Sequence, residues 1–174
     1  RLEKNTQGDW VPGRFLRAAD LTTNPEANNP QWKTVASDEE RDAPCIPQGS
    51  IGFRWGEQGR WNIEPKNADG SALAPRLSFQ GEGDTLDVAF PYFGSQGFGE
   101  IFPGQELPER QVRRVAVRRV STTQGEVAVA TVFDLLAAHL GIDRDGSDPN
   151  LVGKDPSSIP YTPEWQEPIT GVKA

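Results

Sequence analysis

Apolar positions along the chain follow two different periods. Between Thr131 and Gly141, Val132, Leu135, Leu136 and Leu140 recur at intervals of three and four, which places them on one face of an α-helix. Thr131 offers an N-cap hydroxyl, Asp134 stands three positions on where a capping-box partner reaches back, and Gly141 supplies the C-terminal stop. One clear helix is therefore predicted near residues 132–140, with its leucine stripe turned into a core, so that a charge placed at Leu136 would be buried. His139 adjoins the stripe at the C-terminal end, where the helix dipole mildly favours an imidazolium; packing or capping is its ordinary role and metal ligation the alternative.

Elsewhere the period is two. Ser50 to Trp55 sets Ile51, Phe53 and Trp55 on one face against Gly52 and Arg54 on the other, with residues 56–59 as its turn and Arg60 to Glu64 as the return strand. Further strands are predicted at Trp10 to Leu16, bent at Pro12-Gly13, and at Trp32 to Val35, Arg76 to Phe79 and Leu86 to Phe93. In Gln111 to Val120, Arg113 and Arg119 fall on one face and Arg114 and Arg118 on the other. Neither face is cleanly apolar, which suits an edge strand, or one covered by a partner whose carboxylates pair with the arginines. A contact with a cofactor diphosphate is the alternative use of these arginines. Asn24 to Pro30, the acidic Ser37 to Asp42, and Gly94 to Gly104 read as loops. The expected fold is α+β and β-rich, with short antiparallel strands and hairpins, the one helix, and long irregular loops, in a single segment over residues 1–174 without internal repeats.

Composition adds limits to function. The 18 glycines and 15 prolines divide the chain into short elements, and no run approaches the roughly 20 apolar residues of a membrane helix. A net charge of -7 disfavours non-specific attraction to nucleic acid or anionic lipid. Cys45, the only cysteine, has no internal disulfide partner, which suits a reducing compartment. With His139, the only histidine, it falls short of the roughly four ligands of a structural zinc or iron–sulfur site. Any serine or cysteine nucleophile would have to use His139 as base, and no Gly-x-Ser-x-Gly elbow is present. Asp143 to Asp148 resembles a calcium loop only superficially, because Ser147, Asp148 and Lys154 occupy positions five, six and twelve. No glycine-rich nucleotide fingerprint occurs. The five tryptophans would also suit a sugar-binding β-module, although such aromatics are more often core. The start at Arg1 and the absence of methionine fit a piece of a longer polypeptide.

Specific strings go further. Gly13-Arg14-Phe15-Leu16-Arg17-Ala18-Ala19-Asp20-Leu21, Asn28-Asn29-Pro30-Gln31-Trp32-Lys33-Thr34-Val35 and Pro47-Gln48-Gly49-Ser50-Ile51-Gly52-Phe53-Arg54-Trp55-Gly56-Glu57 resemble, in that order, stretches of the catalytic alpha subunit of respiratory, molybdenum-dependent nitrate reductases. Gly59 to Glu64, Phe90 to Gly94, Thr131 to Leu135 and Tyr161 to Trp165 continue the resemblance. It weakens over residues 37–46, 94–108 and 143–158. Tyr161-Thr162-Pro163-Glu164-Trp165 is similar to a string that precedes a helix in many molybdopterin oxidoreductases, and the chain is expected to stop just before that helix.

The resemblance implies an interior, structural segment of a large subunit that holds a bis-molybdopterin guanine dinucleotide and a 4Fe-4S cluster. It further implies an iron–sulfur beta subunit and a quinol-oxidising cytochrome b gamma subunit as partners, and reduction of nitrate to nitrite on the cytoplasmic face of the bacterial inner membrane. In that family the aspartate on molybdenum and the cluster ligands lie upstream of the matching region. No residue here is therefore implied as catalytic or metal-ligating, and the segment alone is expected to be soluble, cofactor-free and inactive. Two other readings stay open: a stand-alone β-rich binding module, and the same segment of a molybdenum relative acting on selenate, chlorate or a hydrocarbon.

Overall fold

The computed structural model describes residues 1–22, 29–47, 66–67, 69–91, 110–146 and 148–174. The strands expected at 50–55 and 60–64, the turn between them, the loop at 94–104, and most of the loop at 24–30 lie outside the described residues. Two compact units are present, a division of which the apolar pattern carries no sign. One comprises Arg1, Arg14–Leu77 and Arg119–Val129; the other comprises Leu2–Gly13, Ser78–Arg118 and Ala130–Ala174. Seven strands are described: β1 (Leu2–Lys4), β2 (Trp10–Pro12), β3 (Ala36–Asp38), β4 (Ala43–Cys45), β5 (Asp84–Pro91), β6 (Arg110–Thr122) and β7 (Gly125–Val129). Two α-helices are described as well, α1 (Val132–His139) and α2 (Pro163–Thr170).

In the first unit, Leu16, Ala18, Leu21 and Ile46 form a core against Val35, Val120, Val127 and Val129. Leu16, Ala18 and Leu21 come from the first resembling string. Its polar residues serve the same turn: Asp20 takes a two-pronged hydrogen bond from Arg14, at 2.7 and 2.6 Å, and a third from the Arg17 N–H at 2.8 Å. Ala18 is fully buried, which leaves no space for a larger side chain. The stretch Trp32 to Val35 is not a strand; only the isolated bridge Arg17↔Thr34 forms there. Residues 37–42 are not simply a solvated loop either. Ala36–Asp38 pairs antiparallel with Ala43–Cys45, and Asp38 is buried at 1% exposure because its carboxylate accepts the Glu40 N–H at 3.0 Å, shaping the hairpin turn.

In the second unit β1 pairs antiparallel with β2, β2 meets β5 in parallel at Trp10↔Val88, and β5 pairs antiparallel with β6 from Asp84↔Val117 to Pro91↔Arg110. Val88, Ala89, Phe90, Val115 and Val117 form the heart of this unit. In the sheet order β6 stands between β5 and β7, although at Arg114 its side away from β5 carries no strand. Arg114 and Arg118 are matched by this chain's own carboxylates: Asp87, directly opposite Arg114, lies 3.4 Å from it, and Glu82 lies 2.9 Å from Arg118. Where the open side of β6 would expose an N–H at Arg114, the buried Asp148 accepts it at 3.0 Å. The stretch expected as a strand at 76–79 is irregular, and its Ser78 and Phe79 anchor a helix instead.

That helix, α1, departs most from expectation. Thr131 does cap it, accepting the Asp134 N–H at 2.9 Å, and Gly141 does end it, at φ +73°. Three of the four stripe positions, however, face outward, Val132 at 60% exposure, Leu136 at 55% and Leu140 at 40%, while Leu135 is half-buried. The buried face consists of Asp134, Ala137 and Ala138. Asp134 is no capping-box partner, because its carboxylate accepts from Ser78 Oγ at 2.6 Å and from the Phe79 N–H at 2.8 Å, and also pairs with Arg144. The chain also contains the helix expected only beyond its end. Thr162 accepts the Trp165 N–H at 3.2 Å, Pro163 occupies the first turn, and Gly171, at φ +72°, closes α2.

Candidate functional site

Four groups carry the chemistry to be weighed: Cys45, His139, the arginines of β6, and the buried carboxylates Asp38 and Asp134. Cys45 is buried beside Asp38, and burial together with that neighbouring negative charge pushes its thiol up to about 11. It is therefore protonated at neutral pH and is neither a nucleophile nor a ready metal ligand. Asp38 shares with it a cavity of about 220 Å³ lined also by Arg41, Asn67 and Asp69. Burial by itself would raise the Asp38 carboxyl. The Asn67 amide, the Arg41 and Glu40 N–H groups and the Arg41 charge outweigh it and hold the group below the ordinary range. Asp38 is thus an ionised hairpin organiser with its hydrogen bonds committed, not a poised general base.

His139 sits at the end of α1 with its ring stacked on Phe90, centroids 5.1 Å apart, and its edge toward Tyr161 at 5.3 Å. Burial lowers its pKa, and the Arg113 charge adds to that against a hydrogen bond with the Pro91 backbone. The neutral ring is favoured, so desolvation overrides the helix dipole that the sequence suggested would support an imidazolium. Arg113 is itself buried, its guanidinium donating to the Gln111 side chain at 2.7 Å and to the Val112 carbonyl at 3.0 Å. Arg114 and Arg118 are engaged with Asp87 and Glu82 as described above. In the stretch weighed as a calcium loop, the Asp143 carboxylate is spent on this chain's own backbone, accepting the Asp148 N–H at 3.1 Å. Among the described residues no group of three His, Cys, Asp or Glu side chains is placed to hold a metal ion.

What the structure offers instead is a surface. On α1 the side of the helix away from Asp134 carries Val132, Phe133, Leu136 and Leu140, each at least 40% exposed, with Ile142 just beyond at 52%. Arg144 lies over the Phe133 ring at 4.9 Å and also reaches Asp134 and Ser78, so one cation joins the buried polar side of the helix to its apolar side. Sequence periodicity found this stripe and assigned it the wrong surroundings. The signal for the truth was weak but present: the other face of the helix carries Asp134, Ala137 and Ala138, small or polar enough to lie close against a sheet.

Comparison with known proteins gives these features a setting. No family model matches the chain. It is 43% identical over 175 aligned residues, 98% of its length, to the respiratory nitrate reductase 2 alpha chain of Escherichia coli. The chain belongs with the nitrate reductase alpha chains. It is also 33% identical to the nitrate reductase alpha chain of Bacillus subtilis over 95% of its length, and 38% identical to the nitrate reductase alpha subunit of Mycobacterium tuberculosis over all of it. It spans only 13 to 14% of the length of these alpha chains. The string Gly13 to Leu21, which carries part of the resemblance, is accounted for by the Arg14–Asp20 fork and the buried Ala18. The longest string, residues 47–57, lies almost wholly outside the described residues.

Proposed function

We propose that this chain is an interior, supporting segment of the catalytic alpha subunit of a respiratory nitrate reductase, which reduces nitrate to nitrite with electrons from quinol at a molybdenum centre. The observation that carries the reading is similarity to alpha chains along nearly the whole chain, at up to 43% identity. A stand-alone sugar-binding module has no comparable support.

Nitrate reduction needs a metal centre that passes two electrons and accepts an oxygen atom, and the protein's task is to hold and tune that centre. In the whole subunit a bis-molybdopterin guanine dinucleotide would supply this chemistry, with a 4Fe-4S cluster passing electrons to it. The described residues do not fit the ligation of either group. Cys45 is a buried, protonated thiol, and the neutral His139 ring is engaged with Phe90 and Tyr161. The segment's part is structural: its strands, hairpin and helices hold a shape against which the ligand-bearing regions pack. An iron–sulfur beta subunit and a cytochrome b gamma subunit would complete the assembly on the cytoplasmic face of the inner membrane. No described helix here is long and apolar enough to cross a membrane.

The test is deletion of these 174 positions from the whole subunit. The expected outcome is loss of molybdenum retention and of viologen-linked nitrate reduction, both restored when the chain is supplied from a second gene. A deleted subunit that keeps its metal and its turnover would overturn the reading.

A further inference from the structure

The apolar face of α1 is the feature that neither the fold nor the proposed function uses. We infer that Val132, Phe133, Leu136 and Leu140 form a docking face for another part of the same alpha polypeptide, an apolar surface outside these 174 residues; this rests on the proposed function. The face is not an accident of a loosely placed helix. A helix whose leucines preferred its own unit would have to roll, and three contacts prevent that. Asp134 accepts from Ser78 Oγ at 2.6 Å and from the Phe79 N–H at 2.8 Å and pairs with Arg144, so rolling would strand a buried carboxylate and a buried N–H. The inward side is completed by Ala137 and Ala138, both buried. The sequence has placed small and polar side chains inward and large apolar ones outward. A contiguous apolar face of this kind is the mark of a contact surface.

The size of the face decides what covers it. Helix α1 has 8 residues, about 12 Å of helix. A self-standing contact between separate molecules removes roughly 1,200 Å² or more from water, far beyond what four side chains on two turns provide. Two copies meeting through this face alone, or a separate subunit gripping it alone, would not offset the lost freedom of association. A segment of the same polypeptide bears no such cost, because the covalent chain already holds it at high effective concentration. The similarity to alpha chains supplies that polypeptide, since most of a relative's length lies outside the matched stretch.

The experiment uses the intact complex. A photoreactive residue is introduced by Leu136→p-benzoylphenylalanine, which the 55% exposure of Leu136 accommodates, and cross-linked peptides are mapped by mass spectrometry. Cross-links from position 136 to alpha-chain residues outside these 174 are expected. Cross-links only to another subunit, to a second alpha chain in a mixed-isotope preparation, or within the 174 residues would each overturn the inference, as would none at all. In parallel, Leu136→Glu should shorten the protease half-life of the whole subunit at least fivefold, with Leu136→Met restoring it; an unchanged half-life overturns the inference too. A wild-type complex that failed to reduce nitrate would defeat the proposed function instead. The cross-link map does not depend on turnover, so the two failures are distinguishable.

Discussion

Asp134 shows how one carboxylate can set the orientation of an element. It is buried at 3% exposure, and its oxygens are shared among Ser78, the Phe79 N–H and Arg144. Asp134→Ala removes the acceptor and leaves a buried backbone donor and a guanidinium without it, so we expect a loss of about 3 kcal/mol, read as a lower midpoint in urea. An unchanged midpoint would mean that the helix is held by something else. His139 makes a prediction in pH. Its folded pKa lies below the ordinary 6.5, so its contribution is fully present above that value and is lost as pH falls through the lower folded pKa, because the unfolded chain takes up the proton first. The carboxylates of Asp20, Asp38, Asp69 and Asp155 are lowered from an ordinary value of 3.8, so their losses come at lower pH. Between about pH 6.5 and 5 the fall in melting temperature should therefore be shallower in His139→Phe, which keeps a ring against Phe90. Equal slopes for the two proteins would show that His139 titrates alike folded and unfolded.

At the scale of elements, the ends of α1 were legible and its rotation was not. Thr131 and Gly141 act locally, through one hydroxyl and one left-handed backbone, and need nothing distant. Gly141 carries a further demand: a Cβ there would lie 2.8 Å from Ile159 Cγ2 and 3.3 Å from the Pro160 carbonyl. Strain in the backbone and this close approach together should make Gly141→Ala cost about 2 kcal/mol, measurable in thermal unfolding. A cost near zero would show that the chain around residue 159 yields freely. Strand β6 was found in the sequence, but its place in the sheet was not. Arginines on both faces read as an edge; in the structure Arg114 and Arg118 meet Asp87 and Glu82 from distant segments, Arg113 is held by Gln111, and Asp148 accepts the Arg114 backbone N–H. Trp32 to Val35 and residues 76–79 read as strands from their residue types, yet their backbone contacts are scattered, Lys33 and Val35 with residues 16–18 and Arg76 with Ser37, and build no ladder. Residue type allows a strand; a neighbouring strand makes one.

For the whole molecule, the decisive prediction concerns activity. The isolated chain should hold no stoichiometric molybdenum and should not reduce nitrate in a viologen-linked assay. Its single cysteine is a thiol pushed up to about 11, and no described cluster of donors could replace the missing ligands. Elemental analysis showing one molybdenum per chain, or turnover above background, would relocate the chemistry into this segment. The same chain should bind a hydrophobic dye, since Phe15, Trp32, Leu77 and the outward face of α1 are all exposed.

Local interactions were determined by the sequence itself: the caps of α1, the extended run of β5, and the kinship carried by strings such as Gly13 to Leu21. Each depends on residues within a few positions of one another, where side-chain type and spacing already fix the geometry. Only the tertiary structure decided which way α1 faces, that Asp38 and Asp134 are buried organisers, where β6 stands in its sheet, and that His139 stays neutral. These outcomes rest on contacts between residues some 30 to 55 positions apart, such as Asp38 with Asn67 and Asp134 with Phe79. An amphipathic pattern states that one face avoids water, and it leaves open whether the cover is the helix's own unit or another part of a larger protein.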